Sequence, residues 1–289
     1  MGKPNVGKST LLNRLVGQQI SITANKPQTT RNNIRGIVTR ENFQAIILDT
    51  PGVHLPRNEL HRRIVNYATR TVKGSDLIFF LTEPVRPFQK AVSEEDRLVL
   101  NYLQGDFGKA ILVINKTDLC GGEQILKTIE IFNRTFPFAE TVPICALKGR
   151  GVDILTGFFP KYLPEGIAYY PKNCSTDTPE RVIVGEFVRE QLMRLCFREV
   201  PYGTAVLVEK FEEKKKIINI YATIHIVKKS HKKIVIGKKG AMLKRVGENS
   251  RIKMERLLGR KVFLSLHVKI SKNWLDNPQK LNEFGYGRL

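Results

Sequence analysis

The chain has 289 residues, 42% of them hydrophobic, enough to fill one large or two ordinary cores and to exclude wholesale disorder. Its formal net charge of +21 calls for a partner dense in negative charge, nucleic acid or anionic membrane. The excess is concentrated late: residues 1–170 carry 22 Lys+Arg against 15 Asp+Glu, whereas residues 171–289 carry 26 against 12.

Up to about residue 165, short apolar runs alternate with longer amphipathic stretches. Residues 43–48 (FQAIIL), 77–81 (LIFFL), 110–114 (AILVI) and 141–145 (TVPIC) read as buried strands, and 34–39 as an antiparallel edge strand. Helical patterns fall near 10–17, 59–73, 91–104 and 123–135. Strands separated by helix-length segments predict a mostly parallel sheet with helices on both faces, an α/β domain. Residues 164–180 (PEGIAYYPKNCSTDTPE) lack periodicity and carry three prolines, a linker signature. The expected division is therefore a domain over 1–165, a linker over 166–180 and an α+β domain over 181–289. In the latter, a helix near 179–198 precedes strands at 205–211 and 217–227, a short helix near 230–235, a helix over 240–258 and a strand over 262–270.

Residues 2–9 (GKPNVGKS) fit the phosphate-binding pattern G-x-x-x-x-G-K-[ST]. Gly2 and Gly7 let the backbone curl so that the amides of residues such as Asn5 and Val6 aim at phosphate oxygens. The helix that follows, from Lys8 through Thr10, adds the positive end of its dipole. Lys8 is expected on the β- and γ-phosphates and the Ser9 hydroxyl on Mg²⁺. Asp49–Gly52 (DTPG) stands at the carboxyl end of the strand over 43–48, where a magnesium-linked aspartate belongs; Gly52 offers an amide to the γ-phosphate. Residues 115–118 (NKTD) follow the strand over 110–114 in the same way. A carboxylate accepts from both N1–H and the exocyclic amine of guanine, a donor pair that adenine lacks. Asp118 is thus the expected base-selecting residue, with Asn115 and Lys116 bracing the loop and covering the ring. The implied ligands are GTP or GDP with Mg²⁺.

With these motifs in this order, the chain resembles the translation-factor-like P-loop GTPases, and more closely the bacterial Era family, over essentially its whole length. The resemblance implies that QTTR at 28–31 is the first switch, its threonine completing the Mg²⁺ shell: Thr30, with Thr29 as the alternative. It also implies that residues 144–146 (ICA) form the last base-binding loop. There the Ala146 amide meets the guanine oxygen, and Cys145 stands where serine is usual, a change expected to cost little. Lys8, Thr30 and Gly52 are the expected catalytic positions. Where Ras-like enzymes place a water-orienting glutamine, this chain has Val53, so slow intrinsic hydrolysis is expected. Such domains also place an apolar strand directly before the phosphate loop. Because the sequence opens on the loop, the expectation is that a form longer by about ten native residues would bind GTP and resist heat better.

In the later half, residues 228–245 (KKSHKKIVIGKKGAMLKR) hold eight Lys or Arg and no acid. Within them GKKG at 237–240 is preceded by an apolar run and followed by a helix. This matches the G-x-x-G loop of KH domains, which clamps about four single-stranded nucleotides. The element order matches the type II KH fold, and the expected RNA contacts are Ile236, Gly237, Lys238, Lys239, Gly240, Lys244 and Arg245. A solvated face and a membrane-surface patch are the competing readings of these lysines. For Trp274, packing is expected ahead of base stacking.

The cysteines at 120, 145, 174 and 196 have neither disulfide nor metal spacing, and the histidines show no metal spacing. No apolar run is long enough to span a bilayer and no signal-peptide pattern opens the sequence. A monomeric cytoplasmic protein is therefore expected. The Era resemblance implies binding to small-subunit ribosomal RNA near its 3′ end, a role in assembling the small ribosomal subunit, and peripheral association with the inner membrane.

Overall fold

In the computed structural model, which describes residues 1–31, 34–52, 56–105 and 107–287, the alternation of short apolar runs and amphipathic stretches becomes two compact units. One comprises Met1–Ser21, Asn33–Pro56 and Ile64–Asp177; the other comprises Ile22–Asn32, Arg57–Arg63 and Thr178–Leu289. The division is not a single cut in the chain. Two short excursions, at 22–32 and 57–63, leave the first unit and fold as part of the second.

The first unit contains α1 (Lys8–Val16), β1 (Ile34–Thr39), β2 (Gln44–Asp49), α2 (Glu59–Lys73), which starts in the second excursion, β3 (Ile78–Thr82), α3 (Glu94–Asn101), β4 (Ala110–Ile114), α4 (Gly122–Thr135), β5 (Glu140–Pro143), α5 (Val152–Gly157) and α6 (Phe159–Tyr162). β3, β4 and β5 form a parallel sheet, Ile78 facing Ala110 and Ile111 facing Glu140. β4 is buried along its whole length, as expected of a strand covered on both faces. One face packs on Phe80, Val99, Leu112, Phe132 and their neighbours, the other on Leu11, Leu15, Ile111, Val113 and Leu155. β1 and β2 pair antiparallel as a separate ribbon, Ile34 opposite Asp49.

Between β2 and β3 lies a cavity of about 320 Å³ lined by Ala45–Thr50, Leu77–Phe79, Leu81 and apolar residues of α1. Met1 sits at its edge and makes one rung with β3: its amine donates to Phe79 O (2.5 Å) and its carbonyl accepts from Leu81 N (2.7 Å). The stretch after α6 is bound along β1 and β2. Ile37 N donates to Ser175 O, Thr176 Oγ1 to Arg35 O, and Gln44 exchanges hydrogen bonds with Tyr170.

The second unit contains α7 (Glu180–Leu195), β6 (Thr204–Glu213), β7 (Ile217–Ile226), α8 (Lys229–Ile236), α9 (Ala241–Leu258), β8 (Lys261–Ile270) and α10 (Pro278–Glu283). β6 pairs antiparallel and β8 parallel with the central β7. Alternate β7 residues Ile218, Ile220, Ala222, Ile224 and Ile226 face a core with Val184, Phe187 and Leu192 of α7 and Val246 and Met254 of α9. α7 is buried on nearly every side, including its polar residues Glu186, Arg189, Glu190 and Gln191. Glu190 and Gln191 meet Lys253 and Asn249 of α9, while Arg189 pairs with Glu186 and donates to Thr29 O in the excursion 22–32, whose Ile22 enters the core. Trp274 is fully buried, donating from its indole to Gly203 O (3.1 Å) and stacking on Tyr286. Among the described residues no helix is long and apolar enough to cross a membrane.

Candidate nucleotide and nucleic-acid sites

The phosphate loop curls through positive φ at Gly2, Asn5 and Gly7 before α1 begins. At Gly7 (φ 99°) a Cβ would lie 2.2 Å from Asn115 Nδ2, so both the turn and the space demand glycine. Lys8 Nζ is curled into its own loop, donating to Gly2 O (3.0 Å) and Lys3 O (2.8 Å). Burial pushes its pKa down to about 8, an effect that Asp49 and Asp96 partly oppose. A half-buried ammonium resting on carbonyls, at the head of a helix whose first amides lack intrahelical acceptors, marks a place built for an anion.

β2 ends at Asp49, whose Oδ2 accepts from Ser9 Oγ (2.7 Å) and from Ser21 Oγ (2.6 Å). Burial raises the pKa of this carboxyl, and the two hydroxyls and Lys8 work against the rise. A serine hydroxyl and a carboxylate in contact form a hard-oxygen pair of the kind Mg²⁺ takes, leaving its other positions to water and phosphate oxygens. The residues present therefore fit the ion. Gly52 approaches the phosphate loop so closely that a Cβ would come within 2.9 Å of Pro4. Val53 lies outside the described residues.

Asn115 ties three loops together. Its Nδ2 donates to Val6 O (2.7 Å) in the phosphate loop, and its Oδ1 accepts from Ala146 N (2.9 Å) in the 144–146 loop. The amide expected to meet the guanine oxygen is thus engaged by Asn115, and a purine would share that donor. Lys116, in left-handed backbone (φ 63°), pairs with Glu83 at 3.0 Å. Asp118 is held from both sides, by the Cys145 thiol on Oδ1 (3.2 Å) and Lys148 on Oδ2 (3.2 Å), and these contacts, the thiol first, lower its pKa. Sequence reasoning passed over Arg14, which donates from α1 to Ala146 O (3.1 Å) and to Leu147 O, and over Ser21 and Lys148. None carries a motif. Arg14 stands one and a half turns beyond the phosphate loop, and only the packing of α1 brings it to the 146–147 loop.

Residues 28–31, expected from the sequence as the first switch, fold with the second unit. Thr30 is buried there, and Thr29 Oγ1 donates to Lys26 O (2.6 Å), closing its own turn.

The basic motif forms a turn between α8 and α9. Gly237 (φ 74°) lies so near Met242 that a Cβ would fall 2.7 Å from that residue's Cβ. Lys238 and Lys239 are exposed, and Gly240 heads α9. Beyond the turn a groove of about 450 Å³ runs between Gly240 and α9 (Leu243, Lys244, Gly247, Glu248, Arg251) on one side and β8 (Phe263, Leu264, Leu266) on the other. Positions 240, 244, 247 and 251 recur at helical spacing, so α9 shows the groove one continuous face. Gly247, Arg251 and half-exposed Phe263 were not singled out from the sequence; the helical period starting at Gly240 could have found the first two. Arg245 is exposed, and Ile236 packs against the core of the unit.

Comparison with known proteins places these sites in context. Residues 1–116 match the family described as 50S ribosome-binding GTPase, and residues 199–275 match the KH domain. The GTPase Era of Geobacter sp. (strain M21) is 45% identical over 287 residues, covering 99% of this chain and 95% of its own. That of Clostridium perfringens is 42% identical over 290 residues, covering 100% and 97%. Among solved structures, an Aquifex aeolicus Era variant bound to GDP·AlF4⁻ superposes with a TM-score of 0.93 at 36% identity, covering 99% of this chain and 97% of its own. Era in complex with MgGDPNP and nucleotides 1506–1542 of 16S ribosomal RNA superposes at 0.92, also at 36% identity, covering 99% and 96%.

Proposed function

The chain belongs to the Era family of GTPases, and from that premise we propose how its two units divide the work. The protein hydrolyses GTP: water attacks the γ-phosphorus, and the β–γ bridging oxygen leaves with the electron pair of the broken bond. The amides of Gly2, Asn5, Val6, Gly7 and Thr10 and the Lys8 ammonium hold the phosphates. Ser9 and Asp49 hold Mg²⁺, with Thr30 joining when GTP is bound. The ion, once bound, neutralises charge on the phosphate oxygens. Gly52 offers its amide to the γ-phosphate, and Asp118 selects guanine. The observation that carries this reading is Asn115, whose one side chain fastens the phosphate loop to the base-binding loop and so sets the span between phosphate and purine.

In the second unit, RNA enters the groove between α9 and β8. The turn at 237–240 clamps its backbone, the exposed lysines neutralise it, and the apolar wall takes unstacked bases. The relative crystallised with nucleotides 1506–1542 of 16S ribosomal RNA supports the 3′ end of the small-subunit RNA as the target, and hence a role in assembling the small ribosomal subunit. Crosslinking in cells followed by sequencing of bound RNA is the test. Recovery of a discrete segment near that 3′ end is expected. Recovery of no ribosomal segment, with purified protein binding anionic vesicles instead, would replace this reading with a membrane-docked GTPase.

A further inference from the structure

Neighbouring elements of the first unit pin the phosphate loop at Met1, Lys3 and Val6. At its start Leu81 N donates to Met1 O (2.7 Å), and a Cβ on Gly2 would fall 2.2 Å from Leu81 O. Further on, Asn115 holds Val6 O. Between these, Lys3 Nζ pairs with Asp96 Oδ2 of α3 at 2.8 Å. Lys3 occupies an unspecified position of the G-x-x-x-x-G-K-[ST] pattern, and nothing in the nucleotide chemistry above uses its side chain.

Ser93 and Asp96 have the spacing of a capping box at the start of α3, and Asp96 N donates to Ser93 Oγ (3.1 Å). The acid of such a box ordinarily turns back to the backbone of the capping residue. Here it turns inward. Asp96 is 1% exposed, and its Oδ2 accepts from both Ser93 Oγ (2.6 Å) and Lys3. Among the described residues no donor meets its buried Oδ1. A carboxylate taken out of water with one oxygen unmet is costly, and the Ser93 hydroxyl caps the helix without it. What the inward turn secures is Lys3. The carbonyl of that same residue accepts from Lys8 Nζ (2.8 Å), so Asp96 reaches the phosphate-binding lysine through one intervening residue.

We propose that Asp96 is a positioning residue for the nucleotide phosphates: through Lys3 it fixes the curl of the phosphate loop and the resting place of Lys8. The proposal rests on the nucleotide reading above and adds to it a carboxylate that acts at one remove. A loop that must be ordered on binding loses part of its contact energy to that ordering, and a pinned loop does not. Asp96 therefore acts on phosphate affinity and leaves the choice of base, set by Asp118, alone.

The test is a double-mutant cycle on the full chain with wild type, Asp96→Asn, Lys3→Met and the double variant. GDP affinity, the preference for GDP over IDP, and the melting temperature without nucleotide are measured for each. IDP lacks the exocyclic amine, so that preference reads the base site. Each single variant is expected to weaken GDP about tenfold, with the preference over IDP unchanged. The double variant should match either single to within about twofold, because all three remove one anchor. Lys3→Met leaves a buried charge without its partner and should lower the melting temperature, which removal of both charges should restore. The positioning role requires GDP affinity to stay low when the melting temperature recovers. Affinity that recovers with it makes the pair merely structural and overturns the proposal. So do unchanged affinity in both single variants, losses that multiply in the double, and a preference over IDP that falls in step. Lys3→Arg, which still carries a charge to Asp96, must return the affinity that Lys3→Met loses. If Lys3→Met does not fold, the double variant is compared with Lys3→Arg, and equal GDP affinity overturns the proposal. Absence of GDP binding in wild type would instead remove the functional reading beneath.

Discussion

The phosphate loop and the GKKG turn are built alike and used differently. Each sets a pair of positive-φ glycines before the N-terminus of a helix and supplies lysine, so each favours phosphate. The phosphate loop is closed: half-buried Lys8 rests on its own loop's carbonyls, Asn115 ties the loop to another, and Ser9 meets Asp49 beneath it. The turn at 237–240 is open, its lysines exposed and its groove continuing along α9 and β8. An enclosed loop recognises one small anion with set geometry, whereas an open one follows a polymer. Enclosure, more than the glycine pattern, separates the two chemistries.

The comparison can be broken most severely at Asp118. Asp118→Asn should weaken guanine nucleotides on the order of 10³-fold, because two buried donors of the base lose their acceptor. Xanthine nucleotides, which carry a carbonyl in place of the exocyclic amine, should gain. Competition binding with GDP, XDP and ADP reads this, and an unchanged preference would remove Asp118 from the base site.

The open loop is tested by Gly237→Asp, which adds a Cβ against Met242 and a charge against phosphate. RNA affinity should fall by about 10²-fold or more, while GDP affinity and the melting temperature of the first unit hold. Equal loss of both ligands would mean general unfolding.

Proton linkage sharpens the contrast. Without nucleotide the Lys8 pKa is about 8, and bound phosphate must raise it by supplying the counter-charge that burial denies. Below pH 8 lysine is already protonated and affinity is flat. Above pH 8 binding takes up a proton, and affinity should fall by up to about tenfold per pH unit. Calorimetry at pH 9 in buffers of different ionisation enthalpy should detect uptake of up to one proton, and release would overturn the assignment. The smallest effect is at Cys145. Serine there would donate a stronger hydrogen bond to Asp118 Oδ1, tightening guanine binding by no more than about threefold, measurable by nucleotide displacement.

Local sequence determined much of this protein. The loop at 2–9, DTPG, NKTD and GKKG each depend on residues adjacent in the chain, where glycine, a carboxylate or a run of lysines has its meaning within a few bonds. The strands over 110–114 and 217–226 were legible from apolar pattern alone, since burial on both faces or on alternate positions writes itself into residue order. What tertiary structure alone decided is which unit owns which segment. The excursions 22–32 and 57–63 lie within the N-terminal half of the chain yet fold with the second unit, where Arg189 and Arg194 of α7 donate to Thr29 O and Thr23 O of the first of them. Arg31 and Arg189 read as surface charges until partners some 170 and 160 positions away in sequence enclose them. Contacts at that separation leave no periodicity in the residues that make them, because the guanidinium's partners are backbone carbonyls, which every residue has.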